Sequence, residues 1–110
     1  MNPLFPEIKK ITEILVRDYS PDKIILFGSR ARGDSRPDSD IDILVVSDRE
    51  KDLPRHKRGQ NVRLKLADIS VPLDIIFYTH DDLNRFKNIR QSFCATVQRE
   101  GVELYGKGKD

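Results

Sequence analysis

Residues 23–46 read KIILFGSRARGDSRPDSDIDILVV. Two apolar runs, 23–27 and 43–46, flank a polar stretch carrying Gly28, Gly33 and Pro37. Short apolar runs bounded by turn residues are the pattern of buried strands. The segment therefore predicts a strand over 23–27, a loop with room for one helical turn after Ser29, and a strand over 40–46. The second strand is apolar on both faces in its latter half, as a central strand covered on both sides would be. The loop between the two suggests an antiparallel pair.

Upstream, Leu4, Ile8, Ile11, Ile14 and Leu15 follow helical spacing and predict a helix over 4–18, stopped by Ser20, Pro21 and Asp22. Downstream, SDREKDLPRHKRGQ reads as exposed, NVRLKLADI as a weakly periodic helix, and VPLDIIFY (71–78) as a third strand. The long crossover to it suggests a parallel pairing and hence a mixed sheet. Thr79 and Asp82 resemble a capping box with Asp in place of Glu. Phe86, Ile89, Phe93 and Val97 mark a last helix ending before Gly101, and 102–105 read as an edge strand. The expected class is α/β (α+β), a small mixed sheet packed with helices. A single domain over 1–110 is expected, with a flexible tail at 106–110.

The chain has 110 residues, enough for one core without staples. A net charge of +2 argues against a binder working by bulk charge. The one cysteine, Cys94, excludes an internal disulfide and four-cysteine zinc sites, and suits a reducing cytoplasm. No signal peptide and no apolar run of membrane-spanning length are expected.

Asp40 and Asp42 alternate on the second strand, so they share a face about 7 Å apart at Cα. Asp74 interrupts the apolar third strand, where a carboxylate is poor strand chemistry. If the two strands are neighbours, Asp74 lies about 5 Å from one of the pair. Two like charges at 4 Å repel by ~4 kcal/mol at a surface-like dielectric. Protonation relieves that; so does a hard divalent cation such as magnesium. Two such ions bridged by carboxylates serve in-line phosphoryl chemistry. A calcium loop fails, because its sixth position is Ile43 and its twelfth Arg49.

The Gly28–Ser29 turn follows a strand, where backbone N–H groups can approach a phosphate and Arg30, Arg32 and Arg36 stand near to neutralise it. It is not a Walker A loop, since the Gly-Lys-Ser/Thr ending is absent. Read without further context, it is better taken as an ordinary strand exit with Ser29 as a helix cap.

GSRARGDSRPDSDIDILVV resembles the signature of the DNA polymerase β-type nucleotidyltransferase superfamily, and its ten-residue spacer is similar to that of the minimal nucleotidyltransferases (MNT). Asp74 stands where that family places its third carboxylate, and REGVELYG resembles its C-terminal strand. The resemblance implies the nucleotidyltransferase fold. It implies that Asp40, Asp42 and Asp74 are catalytic and hold two Mg²⁺ ions, Asp74 also taking or orienting the acceptor hydroxyl proton. It implies that Gly28 and Ser29 cradle the β- and γ-phosphates and that Arg32 contacts phosphate. The implied reaction moves a nucleoside monophosphate, AMP from ATP, to a hydroxyl and releases pyrophosphate. MNT proteins are typically antitoxins of small helical HEPN toxins, so a tyrosine of such a partner is the implied acceptor. Two other readings stay open: a non-catalytic module that neutralises its partner by occlusion, and transfer to a small molecule, whose known agents usually carry an added domain.

The remaining features have plainer readings. The basic segment RHKRGQNVRLK (55–65) reads as a solvated face rather than a nucleic-acid contact. His80 reads as surface, Tyr78 and Tyr105 as packing, and Cys94 as core filler.

Overall fold

The computed structural model describes residues 5–33, 40–86, 97 and 99–107. Leu4, Arg36, Ile89, Phe93 and Cys94, and the loop between Gly33 and Asp40, lie outside the described residues.

Helix α1 spans Phe5–Tyr19. Ile8, Ile11 and Leu15 repeat at three and four residues, and all three are buried. The helix stops where Ser20 turns left-handed (φ 54°) and donates its N–H to Leu15 O at 3.1 Å, ahead of Pro21. Strand β1, Lys23–Phe27, follows. Helix α2, Ser29–Arg32, is the single turn expected after Ser29. Its N–H groups at Ala31 and Arg32 both point back to Gly28 O, and Gly33 ends it in the left-handed conformation. Strand β2 runs Ile41–Val46, one residue shorter than expected: Asp40 stands just before it and is exposed.

A 3₁₀ turn at Arg55–Lys57 and helix α3, Gln60–Lys65, fill the crossover to strand β3, Leu73–Tyr78. Val71 and Pro72 precede that strand instead of belonging to it; Pro72 O accepts the Ile41 N–H. Helix α4 spans His80–Phe86. Its entry is the expected capping box: Asp82 accepts from Thr79 N–H (2.9 Å) and Thr79 Oγ1 accepts from Asp82 N–H (3.1 Å). Helical backbone recurs at 97 and 99–100, and strand β4 runs Val102–Gly106. Gly106 is thus a strand residue, and Lys107 donates its N–H to Asp22 O. Of the tail expected at 106–110, residues 108–110 lie outside the described residues.

The sheet order is β3-β2-β1-β4, with β2 parallel to β3 and β1 antiparallel to both β2 and β4. It is the mixed α+β sheet the connections suggested. One face packs Ile24, Leu26, Ile43, Val45, Ile75 and Phe77 beneath α1 and α3. The opposite face carries Leu44, Val46 and Tyr78 with Val97, and Ile25, Phe27, Ile76 and Leu83 beside them. Both faces of β2 are therefore buried over Ile43–Val46, as its apolar run requires.

Candidate active site

On the face opposite α1, the sheet places its residues in rows. Phe27 pairs with Asp42 and Asp42 with Asp74; in the next row Ile25 pairs with Leu44 and Leu44 with Ile76. Residues in register across a ladder project to the same side, about 5 Å apart. Asp42 and Asp74 are therefore direct neighbours on one face, although 32 positions separate them in the chain. This alignment needs β3 to lie parallel and adjacent to β2, which the long crossover permits.

Asp42 is half-buried, whereas Asp40 and Asp74 are exposed. Burial first, then the Asp74 and Asp40 carboxylates, push the Asp42 carboxyl above its usual range; Arg32 pulls it partway back. Three other side chains singled out in the sequence, Asp40, Asp74 and Arg32, thus act on Asp42. Gly28 closes the site from below. Its backbone (φ 76°, ψ −157°) lies in a region essentially reserved for glycine. A Cβ there would overlap Asp42 Oδ2. Glycine is required at this turn to seat the Asp42 carboxylate, a role the sequence reading did not assign to it. Ser29 opens α2 as its first residue, and Gly28, which has no side chain to cap with, occupies the cap position.

Arg32 lies on α2 and forms an ion pair with Glu100 at 3.5 Å, which ties the turn to the segment just before β4. Gly101 makes that approach possible. A side chain there would collide with Ile25 and with Val97 O, the acceptor of the Gly101 N–H. No periodicity in the sequence signals the Arg32–Glu100 pair.

Among the described residues, no three His, Cys, Asp or Glu side chains stand close enough to hold a metal ion as they are arranged. The donor set still fits a hard divalent cation in its chemistry. It is all carboxylate oxygen, and the repulsion felt at Asp42 is what a cation would relieve. Gripping an ion would require the exposed Asp40 and Asp74 side chains to turn inward.

The segment expected to be a solvated basic face is only partly so. Arg58 is buried and pairs with Asp82 at 2.9 Å, also donating to Phe77 O. Arg55 lies over the Tyr78 ring and Arg63 over the Phe77 ring, at 4.9 and 5.0 Å from the centroids. The aromatic partners sit beyond any helix period, so spacing alone does not reveal these contacts. His80 is exposed, as expected, with Nε2 2.8 Å from Asp22 Oδ2.

The family model described as Polymerase beta, Nucleotidyltransferase matches residues 9–110. The chain belongs to this nucleotidyltransferase family. It is 33% identical over 101 residues to "Putative protein adenylyltransferase MJ0141" of Methanocaldococcus jannaschii, covering 92% of this chain and 95% of that one. A second protein of that organism, "Putative protein adenylyltransferase MJ0604", is 41% identical over 83 residues, covering 76% and 77%. Among solved structures, a toxin–antitoxin complex with AMP-PNP is 26% identical with a TM-score of 0.57, covering 91% of this chain and 73% of that one. These similarities place the chain with the minimal nucleotidyltransferases, and the fold is the nucleotidyltransferase fold. No helix of the described residues is long and apolar enough to cross a membrane.

Proposed function

We propose that this nucleotidyltransferase moves AMP from ATP to a tyrosine hydroxyl of a small helical HEPN-type toxin, and so acts as its antitoxin in the cytoplasm. The observation that carries the reading is the register of Asp42 with Asp74, with Gly28 closed against Asp42. The names of the two archaeal relatives support protein adenylylation, and the solved toxin–antitoxin complex with an ATP analogue supports both the nucleotide and the kind of partner.

The residues divide the work by position. Gly28 and Ser29 offer the turn that receives the β- and γ-phosphates, and Arg32 neutralises phosphate charge from α2. Asp40, Asp42 and Asp74 would hold two Mg²⁺ ions. Bound there, the ions supply Lewis-acid neutralisation of the triphosphate and of the departing pyrophosphate. Asp74, exposed on the outermost strand, orients the acceptor hydroxyl and takes its proton. The acceptor oxygen bonds to the α-phosphorus, the bond from that phosphorus to the bridging oxygen breaks, and pyrophosphate leaves. Half-burial of Asp42 keeps one carboxylate fixed while its two exposed neighbours adjust.

The test is mass spectrometry of a cognate HEPN partner after incubation with ATP, magnesium and this protein. The partner should gain the mass of one AMP on a tyrosine, and the Asp40→Asn, Asp42→Asn double variant should not support the gain. Neutralisation of the toxin by that double variant, without any mass gain, would show occlusion instead and sink the transferase reading.

A further inference from the structure

The outer edge of β3 carries a groove that the reaction described above does not use. It has a volume of about 370 Å³ and is lined by Arg55, His56, Arg63, Ile75, Ile76 and Phe77. Beyond Arg63 it continues into a second hollow of about 290 Å³, floored by Leu66, Ile69 and Leu73 between α3 and β3. Together the two follow β3 from Leu73 to Phe77, about 13 Å of strand, the reach of a short extended peptide.

Three observations say what fits. First, the groove borders the carboxylates. Ile76 lies two residues beyond Asp74 on the same face of β3, about 7 Å away. The nucleotide side of the site, Gly28 to Arg32, lies across β1 and β2, so an acceptor reaching Asp74 has the β3 edge as its open approach. Second, the groove's cations are not neutralised. Among the described residues, Arg55 contacts the Tyr78 ring and hydroxyl, Arg63 the Phe77 ring and backbone carbonyls, and neither meets a carboxylate. An apolar floor with unneutralised guanidinium groups complements an apolar segment bearing acidic side chains. Third, the edge is closed to strand addition. The outward carbonyls of Ile75 and Phe77 already accept from Arg63 Nη2 (2.9 Å) and Arg58 Nη1 (3.1 Å). Recognition there runs through side-chain charge rather than a backbone ladder.

We propose that this groove docks the acceptor segment of the partner protein, an extended peptide whose hydroxyl residue is flanked by Asp or Glu. The proposal rests on reading Asp74 as the acceptor-side carboxylate. A polynucleotide suits the groove less well, because the Tyr78 and Phe77 rings, where bases would stack, are already covered by guanidinium groups.

The test uses the full chain and two short fluorescein-labelled peptides, one with tyrosine among glutamates, the other with lysines in their place. Binding is read by anisotropy at low and high salt without ATP. The glutamate peptide should bind the wild type in a salt-sensitive way and weaken by about tenfold in Arg55→Glu, while the lysine peptide should gain affinity for that variant. His56→Glu should shift both peptides in the same directions. Equal binding of the two peptides to the wild type would overturn the proposal. So would indifference of the glutamate peptide to both substitutions, or an RNA oligonucleotide proving to be the species whose binding Arg55→Glu removes. Because binding is read without ATP, absence of AMP transfer alongside charge-selective peptide binding sinks the transferase reading and leaves the groove assigned only as a dock for an acidic peptide of the partner.

Discussion

Gly28 couples the turn to the carboxylates more tightly than a phosphate-facing role would require. Gly28→Ala forces a side chain into a glycine-only conformation and against Asp42 Oδ2. We expect a loss of about 1–3 kcal/mol in denaturant unfolding and loss of nucleotidyl transfer in protein that still shows native circular dichroism. Asp42 itself lies under opposing demands. Its folded-state carboxyl is raised above the usual range, so folding binds a proton more readily and stability falls as pH rises through that window. At neutral pH, without added cations, Asp42→Asn should therefore melt higher than the wild type, by a few degrees on the order expected for a small domain. Millimolar magnesium should raise the wild-type melting temperature and leave the variant's nearly unchanged. A variant that melts lower in metal-free buffer would contradict the repulsion. These residues were legible in the sequence because glycine, serine and alternating carboxylates carry their meaning locally. The displacement of Asp40 to just ahead of β2 was not, since strand ends depend on the partner strand: Ile41 N–H is the first of that run to find an acceptor, at Pro72.

At the scale of elements, the reciprocal Thr79–Asp82 cap was readable from four consecutive residues, but the third member of the cluster was not. Arg58 arrives from a segment that looks solvated, and it is buried because Asp82 and Phe77 O receive it. Gly59 sustains that arrangement. It turns left-handed (φ 73°) where a side chain would run into the Phe77 ring. Burial alone would push the Asp82 carboxyl up, but the Thr79 backbone N–H, the Arg58 guanidinium and the Thr79 hydroxyl together hold it below its usual range. The sign follows from linkage. A depressed folded-state value contributes stability that is fully present above the ordinary carboxylate range and lost as pH falls through the depressed value. Asp82→Ala leaves Arg58 buried without its carboxylate and should cost about 3–5 kcal/mol at pH 7 by chemical denaturation. That difference from the wild type should narrow at the acid end of a pH series, where Asp82 protonates. A difference that stays constant down to the acid transition would assign the loss to packing instead of charge.

Over the whole molecule, the arrangement turns on one pairing that no local pattern encodes: β3 lies parallel to β2, in the register that sets Asp74 beside Asp42. The sequence made the strands and their carboxylates visible and the long crossover made parallel pairing reasonable, but a shift of one residue would have turned Asp74 to the α1 face. The register is held because Ile75 and Phe77 must enter the core beneath α1 and α3, which obliges Asp74, Ile76 and Tyr78 to face the other way. The division of work proposed for the carboxylates follows their places in the sheet. Asp42 lies between Phe27 and Asp74 in the middle of the sheet, near the Gly28 turn we propose receives phosphate, while Asp74 is exposed on the outermost strand, the side we propose for the acceptor. Asp74→Asn should therefore damage the chemical step more than nucleotide binding. With ATP, magnesium and the cognate partner, we expect kcat to fall by about 10²–10⁴-fold, the usual worth of a positioned proton acceptor. Affinity for a non-hydrolysable ATP analogue, measured by calorimetry, should change little, because Gly28, Ser29, Arg32 and Asp42 are untouched. An equal loss of analogue binding and turnover would mean that Asp74 serves the nucleotide instead, and the acceptor would then have to approach from another side of the sheet.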